Sequence, residues 1–217
     1  MIKLIFEFGK HAYQQKPIVY TFTTLDFILI LISSIISLLV AVYAYKGYIL
    51  VREKILLYLN LAFTLIGAGL FIEALTIIFA IISRGLITLA IGDYTSMLAQ
   101  IIGYLLLIYA YYTPTEEEPK TILPALIVLT GIVGYVLNLI LIIVVTFIIA
   151  KLVVNFLVKR SIYSGFSLAS FLLIDLSHIM LAISPYRASF ILVSELIRLL
   201  GFILLVALLI SISRGRT

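Results

Sequence analysis

The sequence predicts an all-α integral membrane protein, a bundle of about seven transmembrane helices, and three observations carry that prediction. Hydrophobic residues fill 64% of the 217 positions and charged residues 12%, against about 45–50% and 25% in soluble domains. The apolar residues fall in long runs, and about 20 such residues in a helix cross a hydrocarbon core of ~30 Å. Lys and Arg gather at the ends of these runs, where their charges reach the headgroups. One compact bundle accounts for the chain, with little left over for a soluble domain.

Residues 1–24, MIKLIFEFGKHAYQQKPIVYTFTT, hold an apolar stretch broken by Glu7 and Lys10, too short and too charged for a signal peptide. They are expected to form an interfacial or mobile segment, with Leu4, Ile5, Phe6 and Phe8 on the headgroup surface. The transmembrane bundle is placed at 25–213. Its first half, 25–112, holds helices at 25–48, 55–83 and 93–112. The run TPTEEEPK at 113–120 is a solvated connection. The next apolar stretch, 121–158, would make a helix of about 57 Å at 1.5 Å per residue, nearly twice the core thickness. A turn within TGIVGYVLN, at Gly134 to Asn138, is therefore expected to divide it into a connector helix at 121–137 and the first helix of a second half, 138–213. Two more helices, at 165–184 and 189–213, complete that half, and 214–217 is a basic tail.

Basic residues orient the bundle. With the N-terminus outside and the C-terminus inside, Lys46, Arg52, Lys54, Lys120, Lys159, Arg160, Arg214 and Arg216 face inward, and only Arg84 and Arg187 lie in outer loops; Lys3, Lys10 and Lys16 of the tail then also lie outside, and counting them makes a six-span, N-in arrangement the alternative. Tryptophan is absent, so tyrosine forms the interfacial belt, clustered at Tyr43, Tyr45, Tyr48, Tyr58, Tyr109, Tyr111, Tyr112 and Tyr163 on the inner side.

The halves resemble one another. SMLAQIIGYLLL at 96–107 and SELIRLLGFILL at 194–205 share Ser96/Ser194, Leu98/Leu196, Gly103/Gly201 and an aromatic after each glycine at a constant offset of 98, with Gln100 opposite Arg198. Each half also has a basic turn followed by a long apolar helix. This predicts a 3+1+3 arrangement, a parallel internal repeat of the kind some transporters use.

A charged side chain at bilayer depth costs roughly 2.5–3.5 kcal/mol on insertion scales, so it persists only where it is compensated or used. Glu73, Asp93, Gln100, Asp175, His178, Glu195 and Arg198 form the candidate intramembrane polar site, nearly all in the outer half of the bundle. Asp93 opens the third helix, and Asp93, Ser96, Gln100 and Gly103 follow spacings of a single helix face. Glu195 and Arg198, three apart, are expected to pair. His178 has Asp175 one turn away and is the only side chain in the spans whose unperturbed pKa, about 6.5, lies near neutrality.

Other chemistries find no residues. Cysteine is absent, which closes disulfide, thiol-redox and Cys-ligated metal chemistry. The net charge of +5 is spread over helix ends with no basic stripe, so no nucleic acid is expected. No phosphate loop, metalloprotease pair or nucleophile elbow occurs, and no catalytic residue is assigned. Asp175 and His178 have a metal-ligand spacing in one copy only, so no metal site is assigned. No cofactor is expected either. A retinal Schiff base would need a lysine where the last helix has Arg198, and bis-histidine haem would need a second deep imidazole. The expected partners are the lipid bilayer, protons, ions or a small solute, and a membrane protein or second copy of the chain. The expected location is the cell membrane. The expected function is a small transporter or permeation protein, with a non-transporting subunit or sensor as the alternative.

Overall fold

The computed structural model describes residues 16–83, 86–112, 133–183 and 189–214. These form six helices: α1 Lys16–Val51, α2 Lys54–Ser83, α3 Leu86–Tyr112, α4 Val133–Lys159, α5 Ile162–Ile183 and α6 Ser189–Arg214. All six are long and apolar enough to cross a membrane. In hydrocarbon no water satisfies a free N–H or C=O, so runs of this composition must close their hydrogen bonds internally as helices. Large apolar side chains such as Ile35, Leu50, Ile82, Ile143, Phe147 and Val158 point outward and stay exposed. A surface this apolar belongs in lipid, and the chain is a multi-pass membrane protein.

The helices pack in a ring in chain order, each on its two neighbours, with α6 closing against α1. The interior is filled by Phe63, Ile66, Leu70, Tyr104, Leu107, Leu141, Phe171 and Phe202, all fully buried. Lipid supplies no hydrophobic force between helices, so close backbone approach and interhelical hydrogen bonds hold such a bundle. Ser34 and Ser37 of α1 donate to the Gly67 and Phe63 carbonyls of α2 at 2.8 and 3.0 Å, and Asn60 of α2 returns a bond to the Ala41 carbonyl at 3.0 Å. A Cβ at Gly69 would come within 2.6 Å of the Ala99 Cβ, so that glycine seats α2 against α3.

Two tight turns lie on one face of the bundle. Arg52 joins α1 to α2 and Arg160 joins α4 to α5, both left-handed with φ of 59° and 45°. Each N–H donates back to the carbonyl four residues earlier, Tyr48 and Phe156, at 2.8 Å. This is the left-handed C-terminal cap usually filled by glycine. Around this turn face Lys46 stands over the Tyr43 ring, Arg52 near Tyr48, and Tyr58 meets Tyr109 edge-on at 5.3 Å. Helices α2, α3, α5 and α6 meet at the opposite, mouth face. Since α3 starts at the mouth face it ends at the turn face, where the Tyr112 hydroxyl donates to the Phe147 carbonyl at 3.0 Å. Helix α4 runs the same way as α3 and starts at the mouth face, where Asn138 donates to the His178 carbonyl at 2.9 Å.

Three expectations about element limits meet the structure here. The turn expected at Gly134 to Asn138 is absent, because α4 is continuous from Val133. Asn138 is polar but buried, satisfied by a carbonyl of α5, and so needs no interface. Asp93 does not open its helix; α3 begins at Leu86, placing Asp93 about two turns inside. Hydropathy averaging stops at a charge, whereas a helix does not when the charge faces a cavity. The segment expected to stay outside the bundle through residue 24 is helical from Lys16; residues 1–15, the run TPTEEEPK and most of the 121–137 connector lie outside the described residues.

Candidate functional site

The mouth face opens into a cavity of about 210 Å³ between the helices. Six of the seven residues predicted from the sequence line it: Glu73 from α2, Asp93 and Gln100 from α3, His178 from α5, and Glu195 and Arg198 from α6. They converge because Glu73 of α2 and His178 of α5 lie toward C-terminal ends and the polar residues of α3 and α6 toward N-terminal ends, all at the same face. Asp175 is the exception. It sits on the α4–α5 seam, half-buried, with Oδ2 accepting from the Thr146 hydroxyl at 3.3 Å. Residues three apart on a helix share a face only approximately, and here His178 turns inward while Asp175 turns toward α4.

Asp26 of α1 also lines the cavity, and the sequence reading passed over it. Its signal was present, an acid one residue inside the expected start of the first helix, but an end-of-helix acid reads as interfacial until the helix is shown to begin at Lys16.

The lining is graded. Asp93 is exposed and Asp26 and Glu73 are half-buried, so three acids form the mouth. Gln100, His178, Glu195 and Arg198 form the floor, each no more than 4% exposed. Glu73 and Asp93 are neighbours across the α2–α3 seam, and Glu73 reaches the Ser96 hydroxyl. On the floor Arg198 Nη2 donates to Glu195 Oε2. The pair explains how two charges stand inside α6: each is the other's counter-ion, at the spacing where helical side chains meet. Gln100 donates to the Ser96 hydroxyl at 3.1 Å. Several lining atoms remain buried without a hydrogen-bond partner from the protein: Asp26 Oδ1, Gln100 Oε1, His178 Nε2 and Arg198 Nε. A buried polar atom in that state costs about 1–3 kcal/mol, and four around one cavity mark a place built for polar contents.

Compared with protein-family models, with curated proteins and with solved structures, the chain matches none. What the cavity does must therefore be argued from its own residues. Among the described residues no group of three or more His, Asp or Glu is placed to hold a metal ion.

Toward the turn face the polar lining stops. Tyr104, one turn beyond Gln100 on α3, lies edge-on to His178 with ring centroids 6.0 Å apart, and Phe63 and Phe202 meet edge-on at 5.8 Å. With Leu107, Leu141 and Phe171 they make an apolar layer that separates the cavity from the turn face. Charged contents on one side of such a layer face a barrier of hydrocarbon character.

Proposed function

We propose that the protein is a small transporter or permeation protein whose site is this cavity, in the outer half of the bundle of a cell-membrane protein. One observation carries the reading: ionisable side chains from five helices surround a space open toward one face and stopped by an aromatic layer toward the other. Intramembrane charges lining a cavity are the usual mark of a substrate or ion path, and the aromatic layer beneath the cavity would serve as its gate.

The same proposal includes a seventh crossing and a duplicated three-helix unit. Helix α3 ends at the turn face and α4 begins at the mouth face, and the 20 residues 113–132 join them. Because those two ends lie at opposite faces, the joining stretch, which holds most of the connector helix expected at 121–137, has to pass from one face to the other. The duplication is supported by equivalent contacts. A Cβ on Gly103 would lie 2.9 Å from the Ala62 carbonyl and 2.8 Å from Ile66, and one on Gly201 would lie 3.0 Å from the Ser170 carbonyl and 2.9 Å from Ile174. Ala62 and Ser170, Ile66 and Ile174, and the left-handed Arg52 and Arg160 all stand 108 residues apart. With an N-out, C-in orientation the turn face carries the excess of Lys and Arg expected on the inner side.

The alternative, a non-transporting subunit or sensor acting through a partner, has one observation in its favour: the Thr146–Asp175 pair lies on an α4–α5 seam that lipid does not satisfy. Flux measured in proteoliposomes over a panel of protons, inorganic ions and small organic ions decides between them. Saturable flux lost in Glu73→Gln supports the transporter; no flux of any solute leaves the subunit. Single cysteines at Ile5 and Gly215, clean labels in a chain without native cysteine, should react from opposite sides of the membrane.

A further inference from the structure

The cavity walls carry more information than their polar residues alone, because the equivalences between the two halves extend into the lining. Carried 108 positions on, Glu73 of α2 becomes Leu181 of α5, and both line the cavity. Carried 98 positions on, Asp93 of α3 becomes Ile191 of α6, and both line it too. Two deeper pairs behave the same way: Met97 with Glu195, and Gln100 with Arg198. Eight lining positions thus fall into four pairs, so the cavity lies between equivalent surfaces of the two halves. The chemistry of the pairs is unequal. At the mouth the first half presents carboxylates where the second presents Leu181 and Ile191. On the floor Arg198 is held by Glu195, which leaves Asp26, Glu73 and Asp93 as carboxyl groups in excess.

A hydrated inorganic ion has no use for an apolar wall, and an apolar solute has none for three acids. The shape and charge suit a solute with both. We propose that the cavity binds a small organic cation, its charged nitrogen between Asp26, Glu73 and Asp93 and its apolar body against Leu181 and Ile191. The inference rests on the permeation reading for its site and adds the substrate class. At the ~30 Å³ a water molecule occupies in the liquid, 210 Å³ holds roughly seven non-hydrogen atoms. Gln100 Oε1 and His178 Nε2, buried and without protein partners, supply acceptor positions on the floor for further N–H groups, with the imidazole in the tautomer that leaves Nε2 bare.

Equilibrium dialysis of the purified full chain against radiolabelled n-alkylammonium ions, methyl through pentyl, tests this, with sodium, potassium and n-butyrate as competitors. Affinity should rise about fourfold per methylene as each is buried, and a hundredfold excess of sodium or butyrate should leave butylammonium bound. Glu73→Gln should weaken every member about tenfold, the loss of one charge-assisted contact. Leu181→Asn should flatten the dependence on chain length; Ile191→Asn repeats the measurement should that variant fail to fold. Displacement by sodium at equal concentration, displacement by butyrate, or no binding of any alkylammonium overturns the inference. Ion or solute flux without alkylammonium binding removes the inference and leaves the permeation reading standing. Alkylammonium binding with the expected chain-length dependence but no flux keeps the inference and removes that reading.

Discussion

Helices α1–α3 and α4–α6 solve the same packing problem with different polar groups. Each has an arginine in the left-handed cap between its first two helices, and each seats a glycine of its third helix on the second. In the first half, serines of α1 bond to carbonyls of α2 at two levels. The positions 108 residues on from Ser34 and Ser37 are Ile142 and Val145, so at those levels the α4–α5 seam closes with apolar side chains, and its polar contacts are the Asn138 bond and the Thr146–Asp175 bond. The first half spends its acids on the cavity mouth and has no base there. The second half places its only deep guanidinium on the floor and neutralises it within α6. The lesson is that the positions setting backbone approach correspond between the two sets of helices, whereas the positions facing the cavity differ in polar character.

The largest effect should come from breaking the arrangement peculiar to the second half. Glu195→Gln leaves the Arg198 guanidinium buried and uncompensated, and removing one member of such a pair costs about 3–5 kcal/mol. Removing both charges, in Glu195→Gln with Arg198→Gln, should return stability close to wild type and make α6 resemble α3, where glutamine already stands at position 100. Thermal melts in detergent compare the two. Equal melting of the single and double variants would mean that Arg198 is neutralised from the first half, by Asp26 or Glu73, and that the two halves share one charge network.

A smaller, symmetric effect should follow from the shared feature. Alanine at Gly103 drives its Cβ against the Ala62 carbonyl, and alanine at Gly201 drives its Cβ against the Ser170 carbonyl. Both neighbours are backbone atoms that move only with their helix, so overpacking of about 1–3 kcal/mol is expected at each site. Similar losses in detergent melts would sharpen the equivalence; a loss confined to Gly103→Ala would break it, and would make the α5–α6 contact the softer one.

Much of this organisation was legible in the chain. Long apolar runs with basic ends placed six helices, because hydrocarbon leaves a backbone no other way to satisfy its hydrogen bonds. The polar positions of α3 and α6 were legible from their spacing, since the 3.6-residue period puts them on one face. Asp175 failed because its inward neighbour His178 shares only part of its face, and the Thr146 hydroxyl that holds it is 29 residues away on another helix. The turn at Gly134 failed for a related reason: glycine and asparagine signal a break only when the asparagine has no carbonyl to bond, and that carbonyl belongs to His178. Asp26 needed the third dimension, since nothing local distinguishes a cavity acid from an interfacial one.

The smallest expected change in stability is at His178, and it separates function from packing most cleanly. The equivalent position in the first half is Leu70, buried in the core. The imidazole meets the Tyr104 ring edge-on and shares the cavity lining with Asp26, Glu73, Asp93, Gln100, Glu195 and Arg198, with Asp175 on its own helix turned toward α4; its Nε2 has no protein partner. The Asn138 bond is to the backbone carbonyl and survives any substitution. His178→Leu therefore removes an unsatisfied polar atom, keeps a side chain of comparable bulk, and makes α5 match α2. Stability in detergent melts should hold or rise by up to about 1 kcal/mol. Binding or flux should fall, since the floor loses an acceptor. A leucine variant that melts early with its activity intact would assign the histidine to packing and leave the first-half acids to carry the site alone.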